Sequence, residues 1–159
     1  MPKEMLRQQI LQQLQAEADL QTKAAQLARD EATSEESRAE NKYDTHSQEA
    51  AYLAEGQAKL AADAQEAIEV YRALALSDLP ADAPVALGAL VELAARDRSL
   101  WYILGPRAGG LELALSDGTP VLLITPQSPL GRQLIGKTSG ASVQVPGRDT
   151  VSHTIKQVI

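Results

Sequence analysis

The chain has no cysteine and no phenylalanine in 159 residues, and aromatic residues make up only 3% of it. Without cysteine there can be no disulfide and no thiolate-held metal. The two histidines, His46 and His153, stand over a hundred residues apart, so an imidazole zinc site is not expected and His46 is read as a packed or pH-sensitive seam residue. A core must therefore be built from Ala, Leu and Val, which suits slender helical packing and a modest β core. No window approaches the roughly 18 apolar residues of a membrane span. The opening Met1-Pro2-Lys3-Glu4-Met5 lacks the apolar run of a signal peptide. A soluble, cytoplasmic, monomeric protein with no membrane association is expected.

Glycine and proline are also missing from a long stretch near the start. From Pro2 to about Ala32 the residues are strong helix formers. Leu6, Ile10 and Leu14 form an apolar stripe, which Leu20, Ala24 and Leu27 are expected to continue. A second helix is expected from Glu36 to Leu76. There His46, Leu53, Leu60, Ala67 and Leu74 recur every seven residues, beside a complementary series of Tyr43, Ala50, Gln57, Ala64 and Tyr71. Forty helical residues would span roughly 60 Å. The connector between the helices is too short for anything but an antiparallel hairpin, and alanine seam positions would let the helices approach closely. Gly56 beside Gln57 reads as a tolerated soft spot in the second helix.

That connector, near residues 33–44, carries Glu35, Glu36, Glu40 and Asp44 within ten residues. Its blander reading is solvated charge favouring the next helix N-terminus; its sharper one is a set of anionic oxygen donors carried on a helical arm. The overall charge of −6 is concentrated in the same half. Residues 1–77 hold 14 acids against 8 basic residues, and residues 78–159 hold 7 of each. A duplex-binding surface would need clustered Lys and Arg instead. A basic protein partner fits better.

Residues 78–84, Asp78-Leu79-Pro80-Ala81-Asp82-Ala83-Pro84, break the helix and read as a linker. From residue 85 to 159 the periodicity changes to that of strands. Strands are expected at 85–95, 99–104, 111–115, 121–125, 142–145 and 151–158, with a short helix opened by Ser128 as N-cap and Pro129 at N1. Trp101 and Tyr102 belong to a strand, one ring buried and the other partly exposed. The fold class is thus α+β, a coiled-coil hairpin over residues 1–77 followed by a small β-rich domain.

Gly131-Arg132-Gln133-Leu134-Ile135-Gly136-Lys137-Thr138 matches the pattern of a phosphate-binding loop, but its context is wrong. The intervening residues are helical, and too little chain follows for a nucleotide-binding fold. Gly105 to Gly110 reads as a tight turn. Ser128 has no histidine and acid beside it to make it a nucleophile, and its capping role accounts for it.

The order of parts resembles the bacterial Gre transcript-cleavage factors. The run Ile124-Thr125-Pro126-Gln127-Ser128-Pro129-Leu130-Gly131-Arg132-Gln133-Leu134-Ile135-Gly136-Lys137 is similar to that family's signature, and Glu40-Asn41 resembles the Glu-Asn of its acidic tip. The resemblance implies an FKBP-like C-terminal domain without isomerase activity, docked on RNA polymerase through Ser128, Pro129, Arg132, Gly136 and Lys137. It implies a hairpin inserted in the polymerase secondary channel. Glu40, Glu36 and Asp44 would be the acting acids, supported by Ser37 and Asn41. The protein would be no enzyme itself and would carry no cofactor of its own, only a Mg²⁺ shared through Glu40 inside the complex. The family's motif has an Asp three residues before the tip Glu, where this chain has Ser37. Two outcomes stay open within the resemblance: stimulated cleavage of backtracked RNA, or occupation of the channel without cleavage. Outside it stand a plain coiled-coil interaction protein and a prolyl isomerase. The isomerase would need an aromatic-lined pocket, hard to build from one Trp and four Tyr, three of which lie in the helical half.

Overall fold

The computed structural model describes residues 2–33, 46–146 and 151–159. Helix α1 runs Pro2–Thr33 and α2 runs His46–Ala73. Six strands follow: β1 Leu90–Ala95, β2 Arg98–Leu104, β3 Glu112–Ala114, β4 Pro120–Ile124, β5 Ser142–Gln144 and β6 Ser152–Val158. A short helix α3, Pro129–Leu134, lies between β4 and β5. Among the described residues, no helix is long and apolar enough to cross a membrane. Two compact units form: Met1–Ile10 with Val70–Ile159, and Leu11–Glu69.

The second unit is the helical hairpin. Its buried positions are nearly all alanine: Ala18, Ala25 and Ala28 on α1, and Ala50, Ala54, Ala61, Ala64 and Ala67 on α2. On α2, residues 50, 54, 57, 61, 64 and 68 alternate steps of four and three, the a/d spacing of a coiled coil. The complementary series expected from sequence, Ala50, Gln57 and Ala64, is the seam. The leucine series is not. Leu53 and Leu60 are 55% and 50% exposed, and Leu20 and Leu27, expected to continue the α1 stripe, are 61% and 62% exposed. Alanine lets the helix backbones approach closely, and leucine at those positions would hold them apart. The largest apolar residues therefore do not mark the seam. Gln57 sits in it with its side-chain oxygen buried and unpartnered among the described residues. Helix α2 ends at Ala73, three residues before the expected Leu76.

The first unit is a mixed sheet of six strands, ordered β3-β4-β2-β1-β6-β5 among the described residues. All neighbours pair antiparallel except β2 and β4, which run parallel with Trp101 opposite Val121 and Leu104 opposite Ile124. Strand alternation sends Val91, Leu93, Tyr102 and Leu104 to one face. There they pack with Leu130 and Leu134 of α3 and with Val143, Ile155 and Val158. Leu90, Ile103 and Leu123 fill the opposite face. Tyr71, at the end of α2, reaches this face, and its hydroxyl donates to the Arg107 carbonyl. Gly105 permits the approach, because a Cβ there would fall 2.0 Å from the Tyr71 oxygen. Burial pushes the Tyr71 phenol up to about 12, although the Arg107 hydrogen bond opposes that rise.

Strand β1 begins at Leu90, five residues later than expected. Val85 pairs elsewhere: its N–H donates to the Lys137 carbonyl at 2.8 Å, and its carbonyl accepts from Gly136 at 2.9 Å. Gly88 turns with φ +87 against the Ala75 carbonyl, which breaks any continuous strand there.

Candidate docking site on the sheet unit

The run from Thr125 to Lys137 folds as a cap, a short helix and a positive-φ exit. Ser128 Oγ donates to the Thr125 carbonyl at 2.7 Å and accepts from the Gly131 N–H at 3.1 Å. Gly131 has no room for a side chain, since a Cβ would lie 1.9 Å from the Thr125 oxygen. Leu130 and Leu134 enter the core, and Gly136 leaves the helix at φ +83. Lys137 Nζ donates to the Ser142 carbonyl at 3.2 Å. Of the five residues assigned to docking from sequence, Ser128, Gly136 and Lys137 thus have work inside the fold. Pro129 and Arg132 are exposed, and Ile135 beside them is 41% exposed. Arg132, Pro129 and Ile135 are exposed side chains of the motif with no such internal role.

A second feature is a cavity of about 680 Å³ along β2, β3 and β4. Leu100, Trp101, Leu113, Pro120 and Leu122 give it apolar walls, with Gln9 and Glu112 at its border. Tyr102 is buried while Trp101 is partly exposed, the division expected for adjacent strand residues. Burial also raises the Tyr102 phenol above its ordinary value.

Glu92 is the buried carboxylate of the sheet. It lies on the strand face shared with Trp101 and accepts from Gln157 at 2.6 Å, Ser99 at 2.9 Å and Lys156 at 3.4 Å. Burial pushes its carboxyl up, but those three donors together hold it below the usual range. With every donor supplied from its own sheet, Glu92 reads as structural. Lys3, also buried, donates to the Ser77 carbonyl at 3.0 Å. Burial lowers its ammonium, and Asp78 partly offsets this. His153 is buried with Nδ1 2.9 Å from the Val151 carbonyl.

Glu35, Glu36, Ser37, Glu40, Asn41 and Asp44 lie outside the described residues, as does the side chain of His46. Among the described residues, no group of three or more His, Cys, Asp or Glu is arranged to hold a metal ion.

Sequence reasoning did not find two glutamines that serve the sheet edges. Gln9 bonds the backbone of Ala114 on β3, with its Nε2 donating to the carbonyl at 2.8 Å and its Oε1 accepting from the N–H at 2.9 Å. Gln133 does the same for Gln144 on β5, at 2.7 and 2.8 Å. These are the two outer strands of the sheet. A carboxamide carries a donor and an acceptor side by side, as an adjacent strand would. No local sequence pattern announces such a pairing.

No protein-family model and no curated protein matches the chain. Solved structures do. The GreA factor homolog 1 of Thermus thermophilus is 16% identical, covers 98% of this chain and 95% of its own, and superposes with a TM-score of 0.38. Gfh1 of Thermus aquaticus is 17% identical over 98% of this chain and 94% of its own, also at 0.38. A structure described as that of the transcription factor Gfh1 is 18% identical over 97% of this chain and 93% of its own, again at 0.38. The chain is thus similar, at low identity and over nearly its full length, to GreA-homologue structures.

Proposed function

We propose that the protein is a Gre-type regulator that binds bacterial RNA polymerase and inserts its hairpin into the secondary channel. In this reading residues 1–77 form the inserted arm, 78–84 a linker and 85–159 the docking domain. The observation that supports it most is the alanine seam of the hairpin, with Ala18, Ala25 and Ala28 on α1 and Ala50, Ala54, Ala61 and Ala64 on α2. Such a seam gives a thin pair of helices, suited to a narrow channel, and the sequence joining them carries four carboxylates. An excess of negative charge favours entry into a cationic pore.

Within the polymerase active site, Glu40 is the first choice for a ligand to a shared Mg²⁺, with Glu36 second and Asp44 third. Carboxylate oxygens suit that hard cation, which supplies charge stabilisation at the attacking and leaving oxygens. Ser37 and Asn41 are assigned to support these acids. Docking falls to Arg132 and Pro129, with the apolar cavity beside Trp101 as a further contact. The protein supplies ligands to another enzyme's site and is not itself the catalyst.

The test is RNA cleavage by backtracked elongation complexes in Mg²⁺, with wild type and Glu40→Ala. Stimulation by wild type that the variant loses supports the ligand role. Equal stimulation by both would sink it. Suppressed intrinsic cleavage by both proteins would favour channel occupation without cleavage, which Ser37 in place of the family's Asp makes the second reading.

A further inference from the structure

The four exposed leucines of the hairpin are not scattered. On α1 the seam runs through Ala18, Ala25 and Ala28, which puts Leu20 and Leu27 two residues past successive a positions, at c. On α2 the seam runs through Ala54 and Ala61, so Leu53 and Leu60 precede successive a positions, at g. In an antiparallel pair, the g positions of both helices border the same side of the seam, and the c positions lie next outward on that side. All four leucines therefore share one flank. Each pair is seven residues apart, about 10 Å along a helix, and the register set where Arg7 donates to the Tyr71 and Arg72 carbonyls brings Leu20 near the level of Leu60 and Leu27 near that of Leu53.

Between those levels the flank is low. Ala24 occupies one helix there and Gly56 the other, and a Cβ built on Gly56 would meet nothing within 4 Å. Glu17 and Glu31 take neighbouring positions on α1, and Glu49 and Asp63 on α2, all four exposed. The flank thus has an apolar centre, a small-residue floor and an acidic border, the make-up of an interface core with its rim.

We infer that this flank is a docking surface for a cationic amphipathic α-helix of another protein. An amphipathic helix presents apolar side chains at i, i+4 and i+7, a spacing that matches leucine levels two turns apart, and Lys or Arg beside that stripe would meet the acids. Charge also decides against a second copy of this chain. Residues 11–69 carry 13 acids against 5 basic residues, and pairing two such flanks would bring acidic border onto acidic border. The inference does not depend on the polymerase reading, so failure of the cleavage assay leaves it standing.

The test uses a labelled synthetic helical peptide with leucines at i, i+4 and i+7 and lysines on the neighbouring positions, titrated with the full chain. Binding that weakens with salt is expected. It should fall at least tenfold for Leu53→Gln/Leu60→Gln and for Leu20→Gln/Leu27→Gln, and also for Glu17→Lys/Asp63→Lys. All six positions are exposed, and unchanged helical circular dichroism verifies that each variant folds. The inference is overturned if wild type does not bind, if the leucine variants bind as wild type does, or if a peptide with glutamate for lysine binds equally well. A dimer in sedimentation that the leucine substitutions abolish would also overturn it, by assigning the flank to a second copy.

Discussion

Gln9 and Ala114, 105 residues apart, are joined by two hydrogen bonds in the pattern of paired strands. Ala114 turns both its N–H and its carbonyl away from β4, toward the open edge of β3. The Gln9 carboxamide takes both, as a neighbouring strand would. Gln133 serves Gln144 at the other outer strand. Bare strand edges invite pairing with other chains, and both are engaged here by side chains.

Gln9→Ala should therefore destabilise the sheet unit by about 1–2 kcal/mol, two neutral hydrogen bonds at roughly 1 kcal/mol each. Urea denaturation measures it. Gln9→Glu should not rescue, because a carboxylate cannot donate to the Ala114 carbonyl. The double variant Gln9→Ala/Gln133→Ala should also raise concentration-dependent association in light scattering, and scattering unchanged from wild type would rule out the edge-guarding role.

The positions of the strands were legible in sequence because period-two runs between Gly and Pro turns are local signals. The Ser128–Pro129 cap was legible for the same reason. The hairpin was legible in outline, yet its seam was misread at Leu20, Leu27, Leu53 and Leu60. Hydrophobic periodicity weights the largest residues, whereas close helix packing selects the smallest. The start of the expected 85–95 strand depends on Val85 pairing with Gly136 and Lys137, about fifty residues on, while the Gln9 clamp spans 105 residues and the Gln133 clamp 11, in both cases through a side chain that no local pattern marks.

Helix α2 holds two correctable weaknesses. Gln57→Leu removes a buried, unpartnered oxygen and should stabilise the hairpin by about 1–2 kcal/mol. Gly56→Ala adds a methyl to open space and should contribute about 1 kcal/mol through helix propensity. Thermal unfolding followed by helical circular dichroism distinguishes these from no effect. The Gly56 change also raises the floor between the leucines, so it should weaken the peptide binding proposed above while strengthening the fold.

Acid should weaken the sheet unit through Glu92. Its carboxyl lies below the ordinary 4.5 in the folded chain, so protons bind the unfolded chain more readily. The stabilisation is complete above pH 4.5 and is lost as pH falls through the folded value. Stability of wild type should thus decline steeply below about pH 4.5, and Glu92→Gln should flatten that decline while lowering stability at neutral pH. Parallel denaturation curves at both pH extremes would contradict the assignment.

Gly131→Ala should be among the most damaging single-methyl changes in the chain. The added carbon meets a backbone oxygen at 1.9 Å, not the movable end of a side chain. A loss of about 3 kcal/mol is expected, at the upper end of typical overpacking costs. Pro129→Ala, at an exposed position in the same helix, should cost less than 1 kcal/mol. Similar stabilities for the two variants would mean that α3 can shift away from Thr125.

The place of β6 in the sheet sets an order of events at the ribosome. It lies between β1 and β5, pairing Val91 with Val158 and Val143 with His153. Both helices of the hairpin have emerged once Ala73 has, whereas β1 must wait some sixty residues for β6. Until Ser152–Val158 emerges, β1 has one unpaired side and β5 has none of its pairing. A nascent or truncated chain stopped short of that point would present a half-built sheet to chaperones, beside an arm already wound.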